Sequence, residues 1–338
     1  MKRIVFATQV VDPDDPILGA VVVKVRALAE RVDEVAVLAL RAVPGALPDN
    51  CRVHLFGAGS KAARGRLYLS ALRRELSPRP LAVLAHSVPL YAILAAPLTR
   101  PKRVPLLLWF THWKPSRTLV LAERLSTAVL SVDRRSFPLD SRKVVAIGHG
   151  IDTDRFACVE REPRAPLRAV SLGRTSPAKG FEAIARGAAL AGVELEVFGP
   201  SATAEEQAER ERLLGLGVEL HPPVPYSDVP ALLTLRDVLV NNMREGSLDK
   251  IVYEAAATCM PVLASNAGFD DLLPPELRFP RDDPDALADR LRTLTGMDRN
   301  ALGRELRERV VARHSAGHWA DRVLEVAAQV AALEVAGR

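Results

Sequence analysis

Paired cysteines, aromatic residues and long hydrophobic runs are all scarce in this chain of 338 residues. Cys51, Cys158 and Cys259 stand about a hundred residues apart without CxxC spacing, which argues against a disulfide framework or a zinc site and fits a reducing cytoplasm. Met1, Lys2 and Arg3 precede an apolar run that Asp12 closes without a cleavage site, so no signal peptide is expected. The uncharged stretch from Pro80 to Thr99 approaches membrane-spanning length. His86, Ser87 and Pro89 divide it into a strand-sized and a helix-sized piece. Aromatics at 5% and the lack of a nucleic-acid motif argue against a nucleic-acid partner. HExxH, GxSxG and GxxxxGK[ST] are absent, and no DxD-type acidic pair stands in a convincing loop. Metal-dependent and P-loop chemistry are disfavoured, and neither a metal nor a cofactor is expected.

What is present is an ordinary globular composition, 48% hydrophobic and 26% charged, over a length that suggests two domains at roughly 150 residues each. Short apolar runs alternate with longer helical stretches, the pattern of parallel α/β sheets. In the first half, strands are expected near Arg3 to Val10, Glu34 to Leu40, Leu81 to Ala85, Pro105 to Phe110, Ala128 to Val132 and Lys143 to Ile147, with a helix from about Gly19 to Arg31. In the second, they are expected at Arg168 to Leu172, Glu194 to Phe198, Val218 to Leu220, Val238 to Asn241 and Pro261 to Ser265. Each half reads as a doubly wound, Rossmann-like sheet. The domains are placed at 1–150 and 167–312, joined by a proline-interrupted linker at 151–166. The end of the chain, about Ala301 to Val335, reads as one or two helices.

Charge is unevenly divided. Residues 1–150 hold 23 Lys and Arg against 11 Asp and Glu, a balance of +12, while the remainder holds 23 against 30, a balance of −7. The basic half suits an anionic membrane surface or a phosphorylated small molecule.

In open α/β sheets ligands bind beyond the carboxyl ends of strands. Two such points carry chemistry. Gly173, Arg174, Lys179 and Gly180 follow the strand ending at Leu172, where a guanidinium fork, a mobile ammonium and flexible backbone suit phosphate oxygens. Gly246, Ser247, Asp249, Lys250 and Glu254 follow the strand ending at Asn241. Ser247 is the expected N-cap, directing the positive helix end at an anion. Lys250 and Glu254 share one helix face. After residue 150 the chain has 21 arginines but only two lysines, Lys179 and Lys250. The alternatives are an ordinary loop with solvated charges and a solvent-facing Lys-Glu ion pair.

Gly150 to Phe156, then Leu172, Gly173 and Arg174 with Lys179 and Gly180, then Glu254 to Ala257 with Pro261 to Ser265, resemble in order and spacing the retaining GT-B glycosyltransferases of family 4. The resemblance implies two Rossmann-like domains facing one cleft, with a C-terminal helix, 313–338, packing back on the first domain. It implies that Arg174 and Lys179 hold a nucleotide diphosphate and that Glu254 binds the ribose. The nucleobase is expected near Gly199 and Pro222 to Val229. The family spaces two glutamates eight apart. Here Glu245 and Glu254 stand nine apart with Gly246 at the expected place, so Lys250 ranks above Glu245. Gly19 stands where the family has glycines near phosphate and acceptor, and also suits a plain turn. His112 matches the histidine near the donor sugar. His86, Lys114 and Arg117 are expected on the acceptor side, and His149 at the hinge between domains. The function implied is metal-independent sugar transfer, with retention, from a nucleotide diphosphate sugar to a sugar or lipid-linked acceptor. A cytoplasmic location with peripheral contact to an anionic membrane fits. A nucleotide-sugar epimerase or phosphorylase on the same scaffold, or a non-catalytic sugar-nucleotide-binding subunit, remains open.

Overall fold

The computed structural model describes residues 1–336, with side chains through residue 333. Residues 337 and 338, the end of the expected 313–338 segment, lie outside the described residues. The chain forms two compact units, one comprising Met1–Gly150 and the chain from Ser315 onward, the other Ile151–His314. Both are α/β with parallel sheets.

In the first unit the order is β1 (Arg3–Val11), α1 (Ala20–Ala29), β2 (Glu34–Ala42), β3 (Cys51–Leu55), α2 (Lys61–Glu75), β4 (Val83–His86), α3 (Pro89–Thr99), β5 (Leu106–Trp109), α4 (Arg117–Leu125), β6 (Ala128–Ser131) and β7 (Val144–Ala146). The sheet runs β3-β2-β1-β4-β5-β6-β7. Strand β1 is buried at every position but Gln9, as a central strand is, and Val5 pairs with Ala36 on one side and Val83 on the other. Strand β3 was not expected. Its sequence alternates polar residues and leaves Val53 and Leu55 exposed, as an edge strand does, so it lacks the continuous apolar run that marks its neighbours. It is tied inward by His54, whose Nε2 lies 2.8 Å from Glu75 Oε1, while Arg3 Nη1 donates to Glu75 Oε2 at 2.8 Å. The Pro80–Thr99 stretch resolves into β4 and α3, and among the described residues no helix is long and apolar enough to cross a membrane.

The second unit contains β8 (Arg168–Leu172), α5 (Phe181–Ala191), β9 (Glu194–Phe198), α6 (Ala204–Gly215), β10 (Glu219–His221), α7 (Val229–Thr234), β11 (Val238–Asn241), α8 (Lys250–Ala257), β12 (Val262–Ala264), α9 (Pro284–Thr295) and α10 (Arg299–His314). Its sheet runs β10-β9-β8-β11-β12. Leu172 pairs with Phe198 and Asn241 with Ala264, so the strand ends lie along one edge and the loops leaving them share it. The last helix, α11 (Ala316–Ala336), packs on α1 in the first unit, with Trp319 against Trp109 at 5.6 Å and Arg31 Nε 2.6 Å from Asp321.

The 151–166 stretch, expected as a linker, is held on the second unit. Ile151 and Phe156 are fully buried, and the Arg161 guanidinium donates to the carbonyls of Arg236, Thr258 and Leu233. Burial lowers its pKa to about 10, which leaves it a cation at neutral pH. One expectation is corrected here: Cys158 and Cys259 form a disulfide, and only Cys51 is free. The two partners are 101 residues apart, so spacing along the chain carries no trace of a pairing that the fold creates.

Candidate functional site

The loops after β8 and β9 approach so closely that a Cβ on Gly199 would stand 1.8 Å from the Gly173 carbonyl oxygen, a place only glycine fits. Gly180, at φ +59°, turns the chain into α5. This geometry carries Lys179 back across the end of β8. Its Nζ donates to the Leu172 carbonyl at 3.3 Å and to Asp249 Oδ2 at 2.5 Å, and its side chain is only 13% exposed. Arg174 stands further out, 61% exposed, with Nη1 3.5 Å from Glu206 Oε1. Glu206 is itself fixed by the capping box that starts α6, where its other oxygen accepts from the amides of Ala202 and Thr203.

The α8 start differs from expectation. The N-cap is Asp249, and Ser247 lies in the preceding loop, its carbonyl accepting from Asn266 Nδ2 at 2.9 Å. Asp249 does not cap through its side chain. That carboxylate takes Lys179 and the Asn241 amide at 2.8 Å, and so joins the ends of β8 and β11 to the helix tip. One turn on, Lys250 Nζ lies 2.9 Å from Glu254 Oε1 and 3.7 Å above the Tyr226 ring, and the Tyr226 hydroxyl donates to the same oxygen at 2.8 Å. Glu254 and Tyr226 are buried, so the pair is not the solvent-facing bridge allowed by the sequence. Burial, followed by the adjacent Glu254 carboxylate, pushes the Tyr226 phenol well above its ordinary value, and it stays a donor at neutral pH.

The structure therefore gathers Lys179, Asp249, Lys250 and Glu254 along one sheet edge, with Arg174 beside them on the β8 loop. Glu245 is exposed and makes no hydrogen bond or ion pair among the described residues. Gly246 beside it takes a left-handed φ of 78°. Tyr226, Asn241 and Glu206 were not singled out from sequence as site partners. Asn241 and Asn242, two polar residues closing an apolar strand, were the available signal.

In the first unit Gly19 is the N-cap of α1 with φ −53°, a helical value that asks for no glycine. His86 is buried between Phe6 and Trp109, with ring centroids 5.4 and 6.3 Å away, and neither ring nitrogen has a partner. Burial, reinforced by the Lys24 cation, holds its pKa well below the ordinary value, so the ring is neutral. His149 is buried against Trp109 at 6.5 Å. His112 is exposed. Its Nδ1 accepts from the Lys114 amide at 3.0 Å, which puts the proton of the neutral ring on Nε2. Lys114 and Arg117 are exposed, Arg117 opening α4 behind the Ser116 cap. Among the described residues Glu196, Glu219 and His221 come within metal-ligand reach of one another, on β9 and β10. Both Glu196 oxygens already accept from Arg236 at 2.7 Å, which disfavours a cation there.

Residues 174–325 match a family model described as glycosyl transferase-like. No curated protein matches the sequence significantly. Similar solved structures span nearly all of the chain. Sucrose-phosphate synthase from Thermosynechococcus elongatus is 18% identical over 98% of this chain and 100% of its own, with a TM-score of 0.76. A glycosyltransferase from Rickettsia africae is 12% identical over 97% of this chain and 98% of its own, at 0.74. The Anabaena protein HepE, solved in complex with UDP-glucose, is 14% identical over 97% of this chain and 100% of its own, at 0.76. The chain thus has the GT-B glycosyltransferase type of fold, two Rossmann-like domains, and residues 174–325, most of them in the second unit, match the glycosyl transferase-like family model.

Proposed function

We propose that the protein transfers a sugar from a nucleotide diphosphate donor to an acceptor, retaining the anomeric configuration and without a metal. The observation that carries this reading is the convergence of Lys179, the α8 tip and the Lys250-Glu254-Tyr226 cluster at one edge of the second sheet. An ammonium has three donors and Lys179 spends two within the protein, which leaves one for a phosphate oxygen. Lys179, Arg174 and Lys250 stabilise charge that develops on the leaving diphosphate, in the place a metal would take. Glu254, held by Tyr226, accepts from ribose hydroxyls. In the first unit His112 donates through Nε2 to the donor sugar, as the family resemblance implies. The exposed cations Lys114 and Arg117 receive an anionic or lipid-linked acceptor.

The test is a donor screen by thermal shift, in which a ligand at about 100 times its Kd adds roughly 2.7 kcal/mol of stability. UDP-glucose, held by the structurally similar HepE, heads the panel. Turnover of the stabilising donor with sugar and sugar-phosphate acceptors follows, with the product anomer read by NMR. A donor consumed without acceptor points to the epimerase. Binding without turnover of any pair points to the non-catalytic subunit.

A further inference from the structure

In the first sheet, the segments leading into β4, β5, β6 and β7 all lie along the edge opposite the strand ends that carry His86, His112 and Lys114. Residues 76–82, 99–105, 123–127 and 139–143 contain seven Lys and Arg against two acids, Glu123 and Asp140. Much of the basic excess of this half therefore sits away from the acceptor side. At its centre is a hollow of about 200 Å³ between the C-terminal ends of α3 and α4, lined by Arg100, Arg103 and Arg124 together with Ser126 and Thr127. All three guanidinium groups are exposed, and none meets an acidic side chain among the described residues.

Cations near helix C-termini commonly serve to cap carbonyls. These three do not. The end of α4 is covered by Lys143, whose Nζ donates to the carbonyls of Glu123 at 2.9 Å, Arg124 at 3.1 Å and Ser126 at 3.0 Å. The end of α3 is closed by backbone amides: Arg100 to Ala96, Lys102 and Val104 to Thr99, and Arg103 to Arg100. Arg103 also holds a left-handed φ of 52°, where glycine or asparagine is the ordinary choice and a long side chain costs about 1 kcal/mol. Arg79 donates to the Arg103 carbonyl and steadies that turn. The strained residue is an arginine that points no ion pair inward, and its neighbours across the hollow are two more.

We propose that this hollow binds a phosphate monoester, with Arg100, Arg103 and Arg124 as its three guanidinium ligands. A doubly charged group balances three cations that no acidic side chain among the described residues meets, and forked guanidinium donors match its tetrahedral oxygens. The group arrives either on a soluble metabolite or on a lipid headgroup. The site is independent of the donor site of the second unit.

The experiment uses the full chain and measures saturable binding of inorganic phosphate at low salt. The comparison is among wild type, Arg100→Gln/Arg124→Gln, and Arg73→Gln/Arg74→Gln as an equal loss of charge on α2. The expected result is binding at least about tenfold weaker in the Arg100/Arg124 variant and little changed in the Arg73/Arg74 variant. Arg103→Gly is expected to raise the melting temperature, by relieving the left-handed strain, while weakening phosphate. Absence of saturable binding to wild type, an equal loss in the Arg73/Arg74 variant, or unchanged binding in Arg103→Gly overturns the proposal. A second arm adds vesicles of phosphatidylcholine with and without phosphatidic acid. Capture by phosphatidic acid that depends on Arg100 and Arg124 identifies a lipid headgroup, and phosphate binding without vesicle capture identifies a soluble ester.

Discussion

The two units share a layered architecture and differ in how they hold positive charge. In the second unit each site cation has a carboxylate partner: Lys179 with Asp249 at 2.5 Å, Lys250 with Glu254 at 2.9 Å and Arg174 with Glu206 at 3.5 Å. In the first unit Arg100, Arg103 and Arg124, at the N-terminal strand edge, have none among the described residues. A closely paired and largely buried cation, as Lys179 is, is pre-aimed, because its carboxylate fixes the side chain and limits the entropy lost when a ligand arrives. An unpaired cluster keeps its full field and attracts anions from solution, at the cost of self-repulsion. The difference teaches that net charge alone does not show where cations are ordered. The acidic half, at −7, holds the better organised set.

The units differ also in covalent constraint, and breaking that difference has the largest expected effect. The Cys158–Cys259 bridge lies wholly in the second unit and spans 101 residues. Loops near that length gain about 4.7 kcal/mol from chain entropy, with measured losses of roughly 2–5 kcal/mol on removal. Cys158→Ser, or reductant, is expected to lower the melting temperature of the second unit selectively, resolved by hydrogen exchange. In denaturant without reductant a single thiol, Cys51, should react; three reactive thiols would mean that the bridge does not form.

Next in size is the contrast within the site. Lys179 is nearly enclosed and doubly anchored, whereas Arg174 is largely solvated, so its contact with phosphate competes with water. Lys179→Ala is expected to cost about 10²- to 10³-fold in turnover and Arg174→Ala about tenfold, both with weaker nucleoside diphosphate binding. Equal losses, measured as kcat/KM beside nucleoside diphosphate Kd, would remove the distinction between pre-aimed and solvated cations.

How far the sequence reveals this molecule depends on the range of the interaction. Strands such as Leu106–Trp109 and Val238–Asn241 are legible because burial on both faces leaves a short apolar run, and Glu194–Phe198 is legible because charged and apolar residues alternate along it. The lysines of the site are legible through their rarity after residue 150. The edge strand Cys51–Leu55 is not, because pairing to a single neighbour leaves no such run. Three polar residues, Ser247, Asp249 and Lys250, crowd the start of α8. Which one caps it is settled by Asn266 holding the Ser247 carbonyl from 19 residues away. Tyr226 meets Glu254 across 28 residues, and the disulfide crosses 101. Contacts of that range leave no local pattern.

Glu254 and Glu245 offer a finer test of the second unit. Glu254→Gln keeps the helix and an acceptor for Tyr226 but removes the counter-charge of Lys250, and nucleoside binding is expected to weaken about tenfold or more, the scale of a charge-assisted hydrogen bond. Glu245→Gln, at an exposed position without partners, should change it less than twofold. Isothermal titration with the nucleoside diphosphate of the stabilising donor makes the measurement. A larger effect at Glu245 would put the ribose contact on the wrong carboxylate.

The smallest expected effect concerns acid, and it belongs to the first unit. His86 is neutral in the folded chain because burial, with Lys24 nearby, disfavours its charged form. In the unfolded chain it takes up a proton near its ordinary value of about 6.5. Its contribution is therefore fully present above that pH and is lost as pH falls below it, with a slope that approaches one proton, about 1.4 kcal/mol per pH unit. Between pH 7 and 5 the first unit should lose this contribution, read as stability to denaturant. His86→Phe fills the space between Phe6 and Trp109 without a titrating group and should flatten the acid limb of the first unit alone. Guanidinium unfolding at pH 7, 6 and 5, followed by hydrogen exchange in each unit, reads the slope. An unchanged slope in the variant would assign the acid sensitivity to groups other than His86.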